Sequence, residues 1–218
     1  MSDFSQNGII SNLHDFGTKN TKEIEVELKK FSKERKMELI LPSLYSELEG
    51  DALPKIVEEI SKTNYLNHII VGLDKAKKND AKKAWRFFKK LKTPFTILWN
   101  DGPKLKKLDD ELKKKDLAPN HYGKGRNVWY CLGMCIARDE ARSVALHDCD
   151  IKTYDRRMLA KLFYPVVNPM FNFEFCKGYY PRVSQNKMGG RVARLLVFPL
   201  ITALEKTIGK SDYLEFMK

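Results

Sequence analysis

Short apolar runs that end on acids or turn residues alternate with stretches of helical period along this 218-residue chain. MELILPSL (37–44), HIIVGLD (68–74), FTILWND (95–101) and SVALHDCD (143–150) read as strands, the first stopping at Pro42. Helical spacing marks 21–36, 79–91, 103–115, 124–138, 154–164 and 190–208. Another helix follows Asp51, a candidate cap, with Leu53, Ile56, Val57 and Ile60 on one face. Ala81, Ala84, Trp85, Phe88 and Leu91 are expected inward on 79–91, and Leu105, Leu108 and Leu112 recur on 103–115. Residues 165–169 break a helix at their prolines, and 171–180 alternates as a strand expected to have antiparallel neighbours. This order implies an α/β domain around a mostly parallel sheet.

In such sheets ligands bind outside the carboxyl ends of the strands. Acids gather at three of those ends: Glu47 and Glu49, Asp74, and Asp148 with Asp150. No internal repeat or low-complexity linker interrupts the chain, so one domain over 37–218 is expected, preceded by a helical leader over 1–36. A hydrophobic fraction of 43% supports a sizeable core. No apolar run approaches the roughly 20 residues of a membrane span. The first residues lack a basic start followed by an apolar stretch, and the four cysteines form no CxxC pair, so a cytoplasmic protein is expected.

The net charge is +12, from 40 Lys+Arg against 28 Asp+Glu. Much of the excess lies in 75–92, where nine cations meet only Asp80. A nucleic-acid surface would interleave exposed aromatics with such cations. Trp85 and Phe88 fall at core spacing instead, so a solvated lysine face is the preferred reading and nucleic acid the disfavoured one.

Three motifs carry chemistry. Asp148 and Asp150 flank Cys149 where a strand opens into a loop, a DxD arrangement. Two carboxylates so spaced can reach one hard cation, Mg²⁺ or Mn²⁺, that shares its coordination with substrate phosphates. The alternative is an acidic turn capping the helix at 154. Gly123-Lys124-Gly125-Arg126 opens the helix 124–138, where the helix N-terminus and a lysine both favour a phosphate; a flexible turn is the alternative. Gly189-Gly190-Arg191 opens the last helix with the same logic, and helix initiation is its alternative. Cys131 and Cys135 lack a second pair at zinc spacing and read as buried thiols. His147 reads as packing more than as a ligand or base.

Eight blocks in order, LPSLYSELEG (41–50), NHIIVGLD (67–74), ILWNDGP (97–103), GKGRNVWY (123–130), ALHDCD (145–150), YDRRMLAKLFYPVVNP (154–169), FEFCKGYY (173–180) and GGRVARLLVFPLI (189–201), resemble the glucosyl-3-phosphoglycerate synthases. These are retaining glycosyltransferases of the GT-A fold. The resemblance implies transfer of glucose from a nucleotide sugar, typically UDP-glucose, to 3-phosphoglycerate, giving a precursor of the compatible solute glucosylglycerate. It implies that Pro42, Ser43, Leu44 and Glu47 lie against the nucleotide and that Asp74 faces the nucleoside. Lys124 would contact the diphosphate or uridine, and Asp148 and Asp150 would be the metal-binding catalytic pair. Gly190 and Arg191 would receive the phosphate of 3-phosphoglycerate. Retention is expected by a front-face reaction without a carboxylate nucleophile, and a homodimer is allowed. Relatives are expected to continue past the segment matching 211–216 and to supply a metal-binding histidine there. No residue of this chain is assigned that role. A truncated protein that binds the donor without turnover is therefore the alternative expectation.

Overall fold

A computed structural model of the chain describes residues 10–13, 20–178, 183–184, 187–188, 192–209 and 211–217. Strand β1 (Ile10–Leu13) and helix α1 (Thr21–Phe31) precede strand β2 (Met37–Leu44). A 3-10 turn over Tyr45–Glu49 leads to α2 (Ala52–Ser61), β3 (Leu66–Asp74), α3 (Lys78–Phe88) and β4 (Phe95–Trp99). Next come α4 (Pro103–Lys113), α5 (Lys124–Arg138), β5 (Ser143–Leu146), α6 (Arg156–Val167) and β6 (Phe175–Gly178). The two-residue strands β7 (Val183–Ser184) and β8 (Lys187–Met188) pair antiparallel. A π-helical segment over Ala193–Val197 continues into α7 (Phe198–Ile208), and α8 (Asp212–Met217) follows.

Four strands form one parallel sheet in the order β4-β3-β2-β5. Helices cover both faces, and the period of two along each strand shows how. Leu39, Leu41, Ile69 and Val71 face the side covered by α1, α2 and α6, where Leu28, Ile56, Leu159 and Phe163 complete the main core. Ile40 and Ile70 point the other way, onto Cys131 and Cys135 of α5. Each of these fully buried Leu or Ile side chains contributes roughly 1.5–3 kcal/mol. The stretch 21–31, expected in a leader, adds Ile24 and Leu28 to that same core.

Several expectations need correction. Strand β2 runs through Pro42 to Leu44. The Ile40 carbonyl accepts from the His147 amide on the β5 side. Two residues on, Pro42 faces that same side, but β5 pairs only through Ile40, so its missing N–H breaks no ladder bond. Helix α6 likewise includes Pro165 and ends two residues later. Asp51 sits at the start of α2 but makes no capping bond. The described neighbour of β6 is parallel β1.

Trp85 is 51% exposed, with the Lys89 ammonium 5.3 Å from its ring centroid. Helix α3 packs on the sheet margin, at β4 and the 3-10 turn, so only the narrow stripe of Ala84 and Phe88 is covered. Leu108 is exposed too, and the buried residue of α4 is Asp109.

Candidate functional site

Strands β2, β3 and β4 follow one another across the sheet, and the chain then crosses to the other side of β2 to lay down β5. Beyond the carboxyl ends at that reversal lies a cleft of about 410 Å³. Pro42, Ser43, Leu44, Glu47, Asp74, Lys124, Asp148 and Asp150, all named from sequence, line it together. Gly190 and Arg191 lie outside the described residues.

Each wall has a local cause. The 3-10 turn after β2 is closed by Glu47, whose carboxylate accepts from the Leu44 amide at 2.9 Å. That bond turns Glu47 back over the strand end. Ser43 is buried and donates to the Leu44 carbonyl at 3.0 Å. At the end of β3 both oxygens of Asp74 are held, one by the Asn100 amide at 2.7 Å and the other by the Asn127 amide at 3.1 Å. Lys75 follows with φ 54°, a left-handed conformation that costs a lysine on the order of 1 kcal/mol and is concentrated at functional sites.

Helix α5 approaches β3 closely because Gly72 has no side chain. A Cβ there would lie 1.7 Å from Asn127 Oδ1 and 2.6 Å from Cys131 Sγ. Asn127 uses the gap to donate to the Gly72 carbonyl at 2.9 Å as well. The helix begins at Gly123, whose φ of 149° is rarely open to other residues. Lys124 is thereby aimed across the cleft and forms an ion pair with Asp148. The pair is largely exposed, so it contributes about 0–1 kcal/mol and exchanges easily for other partners.

At the end of β5 the chain alternates. His147 and Cys149 are buried, while Asp148 is half-buried and Asp150 is exposed. The inward turn of Cys149 thus directs both flanking carboxylates to the cleft. Burial pushes the Cys149 thiol well above its ordinary range. His147 packs edge-on to Tyr154 at 5.3 Å, and neither ring nitrogen has a hydrogen-bond partner among the described residues. Burial lowers its pKa to about 4, partly offset by the Asp148 charge. Burial disfavours its charged form, in keeping with a packing role. Cys131 and Cys135 are buried free thiols, each pushed up to about 12 by burial.

The carboxylate pair suits a hard divalent cation by donor chemistry. Among the described residues no three potential ligands converge, so Asp148 and Asp150 would supply at most a partial set. Such cations ordinarily complete their coordination with water and substrate phosphates.

Sequence reasoning missed Lys75, Asp101, Tyr122 and Asn127, which also line the cleft, and Asn100 behind it. Asn127 lies about one turn after Lys124, a spacing that could have flagged it. Asp101 was legible only as a turn residue. It accepts from the Ala76 amide at 3.0 Å and braces the β3 exit.

No protein-family model matches the chain. The glucosyl-3-phosphoglycerate synthase of Persephonella marina is 43% identical over 217 residues, which is 100% of this chain and 54% of that protein. That of Methanococcoides burtonii is 36% identical over 199 residues, 90% of this chain and 48% of that protein. This chain is a homologue of the glucosyl-3-phosphoglycerate synthases. It spans about half the length of these curated synthases. The fold is that of the synthases as well. A crystal structure of the Mycobacterium tuberculosis glucosyl-3-phosphoglycerate synthase with Mn²⁺ and UDP-glucose superposes with a TM-score of 0.58 at 18% identity, covering 94% of this chain and 60% of that one. The same enzyme with phosphoglyceric acid gives a TM-score of 0.57 at 18% identity, covering 93% and 60%. The architecture is therefore the expected GT-A-like α/β fold.

Proposed function

We propose that this chain is the donor-binding domain of a metal-dependent retaining glucosyltransferase that moves glucose from UDP-glucose to 3-phosphoglycerate. The observation that carries the reading is the meeting of eight residues, named from sequence, in one strand-end cleft. Similarity along the whole of this chain to a synthase of which it spans 54% supports the substrates.

In this reading Pro42, Ser43, Leu44 and Glu47 form the nucleoside wall. Asp74, held by two amides, presents its remaining lone pairs to an N–H of the base. Asp148 and Asp150 hold Mg²⁺ or Mn²⁺, which when bound neutralises charge on the departing diphosphate. Lys124 gives up Asp148 for the diphosphate, at little cost because its ion pair is exposed. Gly190 and Arg191 are assigned to the phosphate of 3-phosphoglycerate. Residues 37–218 make up the nucleotide-sugar domain, and the 1–36 leader is tied to it through Ile24, Leu28 and the 2.9 Å Glu25–Arg156 pair. No helix among the described residues is long and apolar enough to cross a membrane.

Calorimetric titration of UDP with and without Mn²⁺ tests this. Binding is expected to require the metal and to weaken at least about ten-fold in Asp150→Ala, the loss of a charge-assisted contact. Unchanged affinity in that variant refutes the ligand assignment. Incubation with UDP-glucose and 3-phosphoglycerate then separates a competent enzyme, which yields glucosylated product, from a donor-binding protein without turnover. A second reading rests on exposed Trp85 among the cations of 75–92. Steeply salt-dependent RNA binding without UDP binding would favour it.

A further inference from the structure

Tyr122 is 77% exposed, yet its ring is supported from below. The Arg126 guanidinium, four residues on in the first turn of α5, lies 4.4 Å from the Tyr122 ring centroid. The same guanidinium is 5.0 Å from the Tyr130 ring and 2.9 Å from an Asp109 oxygen. Arg126, Tyr130 and Asp109 are all buried. Lys113 holds the second Asp109 oxygen at 2.6 Å, and the Tyr130 hydroxyl donates to the first. Tyr122 is thus the outer layer of a stack whose base is a buried ion pair.

The ring stands between two cavities. On one side is the main cleft, with Asp74, Lys75, Asp101 and Lys124. On the other is a second cavity of about 270 Å³, between α4 and the start of α5. A large aromatic fixed at a cleft lip with its surface open to water gains little for the fold. Its open face is suited to stack on a planar heterocycle, while the Arg126 guanidinium holds the other face by a cation–π contact.

We infer that Tyr122 is a nucleobase-stacking residue, closing over the base of the nucleotide that Asp74 and Lys124 hold. The inference rests on the donor-binding reading above and extends it. The base is recognised at its edge by Asp74 and on its face by Tyr122. Arg126 and Asp109 act as positioning residues, keeping the ring at the lip and the first turn of α5 in place.

The test compares UDP with inorganic pyrophosphate, which has no base, each titrated with Mn²⁺ into the full chain. Tyr122→Ala is expected to weaken UDP about ten-fold or more, the usual scale of a lost base–aromatic stack, and to leave pyrophosphate within about two-fold. Tyr122→Phe keeps the ring and is expected to bind UDP as the wild type does. Unchanged UDP affinity in Tyr122→Ala overturns the inference. So does equal loss of both ligands, which would mean that the ring merely supports the start of α5. Wild-type protein that binds neither ligand overturns the donor-site reading first and this one with it.

Discussion

Replacing Asp109 with alanine is expected to destabilise the fold by about 3–5 kcal/mol, the usual loss when one partner of a buried ion pair is removed. Asp109 is 3% exposed and Arg126 6% exposed. In the variant Arg126 stays buried between two tyrosine rings with no carboxylate to meet its charge. Asp109→Asn keeps the shape and one acceptor, so its loss is smaller. The effect has a pH signature. Burial alone would raise the Asp109 pKa, but the bonds from Lys113, Tyr130 and Arg126 outweigh it and hold the carboxyl well below the usual range. A depressed folded pKa stabilises above the unfolded value, about 3.9, and that stability is lost as pH falls towards the folded value. The gap between wild type and Asp109→Ala should therefore be full at pH 7 and shrink only below about pH 4. Urea denaturation at pH 7 and at about pH 3 measures it, and a gap under about 1 kcal/mol at pH 7 would show that the pair is not the anchor of α4 on α5.

Gly72→Ala should cost less stability than that but should also reach the site. The new methyl meets Asn127 Oδ1 and Cys131 Sγ inside contact distance, and both side chains are buried. Overpacking of this kind costs about 1–3 kcal/mol. To make room Asn127 must leave Asp74, so UDP affinity should fall together with stability. The double variant Gly72→Ala/Asn127→Ala removes the nearest obstruction. It should recover part of the stability but not the affinity, since Asp74 still lacks its second amide. Full recovery of both would show that Asn127 does not orient Asp74.

Pro42, Ser43 and Leu44 were named only through the resemblance to the synthases. The sheet and the residues Glu47, Asp74, Lys124, Asp148 and Asp150 were readable because each strand is a contiguous apolar run and each of these residues stands at or just after a strand end or at a glycine-led helix start. Those are local signals. The supports behind them are not local. Asn100 and Asn127 meet Asp74 from segments 26 and 53 residues away, and no local spacing points either of them at Asp74. Asp109 looked like one more polar residue on a lysine-rich helix, and its burial follows from Arg126 on the next helix. Trp85 fitted the inward stripe of α3 by period, yet the sheet margin covers too narrow a face to take it. Prolines misled twice: at Pro42 no ladder partner waits for the missing N–H, and Pro165 is tolerated in the last turn of α6, which ends two residues later. Strand β1 has no period at all and is defined by its pairing with β6.

The central claim is that Asp148 and Asp150 share a divalent cation with the diphosphate of a nucleotide lying along β2 and β3. Anomalous diffraction from crystals grown with Mn²⁺ and UDP tests it most directly. The account predicts one strong manganese peak bridging the two carboxylates and the diphosphate, Lys124 drawn off Asp148, and the nucleoside between Pro42–Leu44 and Asp74. A manganese peak away from both carboxylates, or UDP bound outside this cleft, would contradict it.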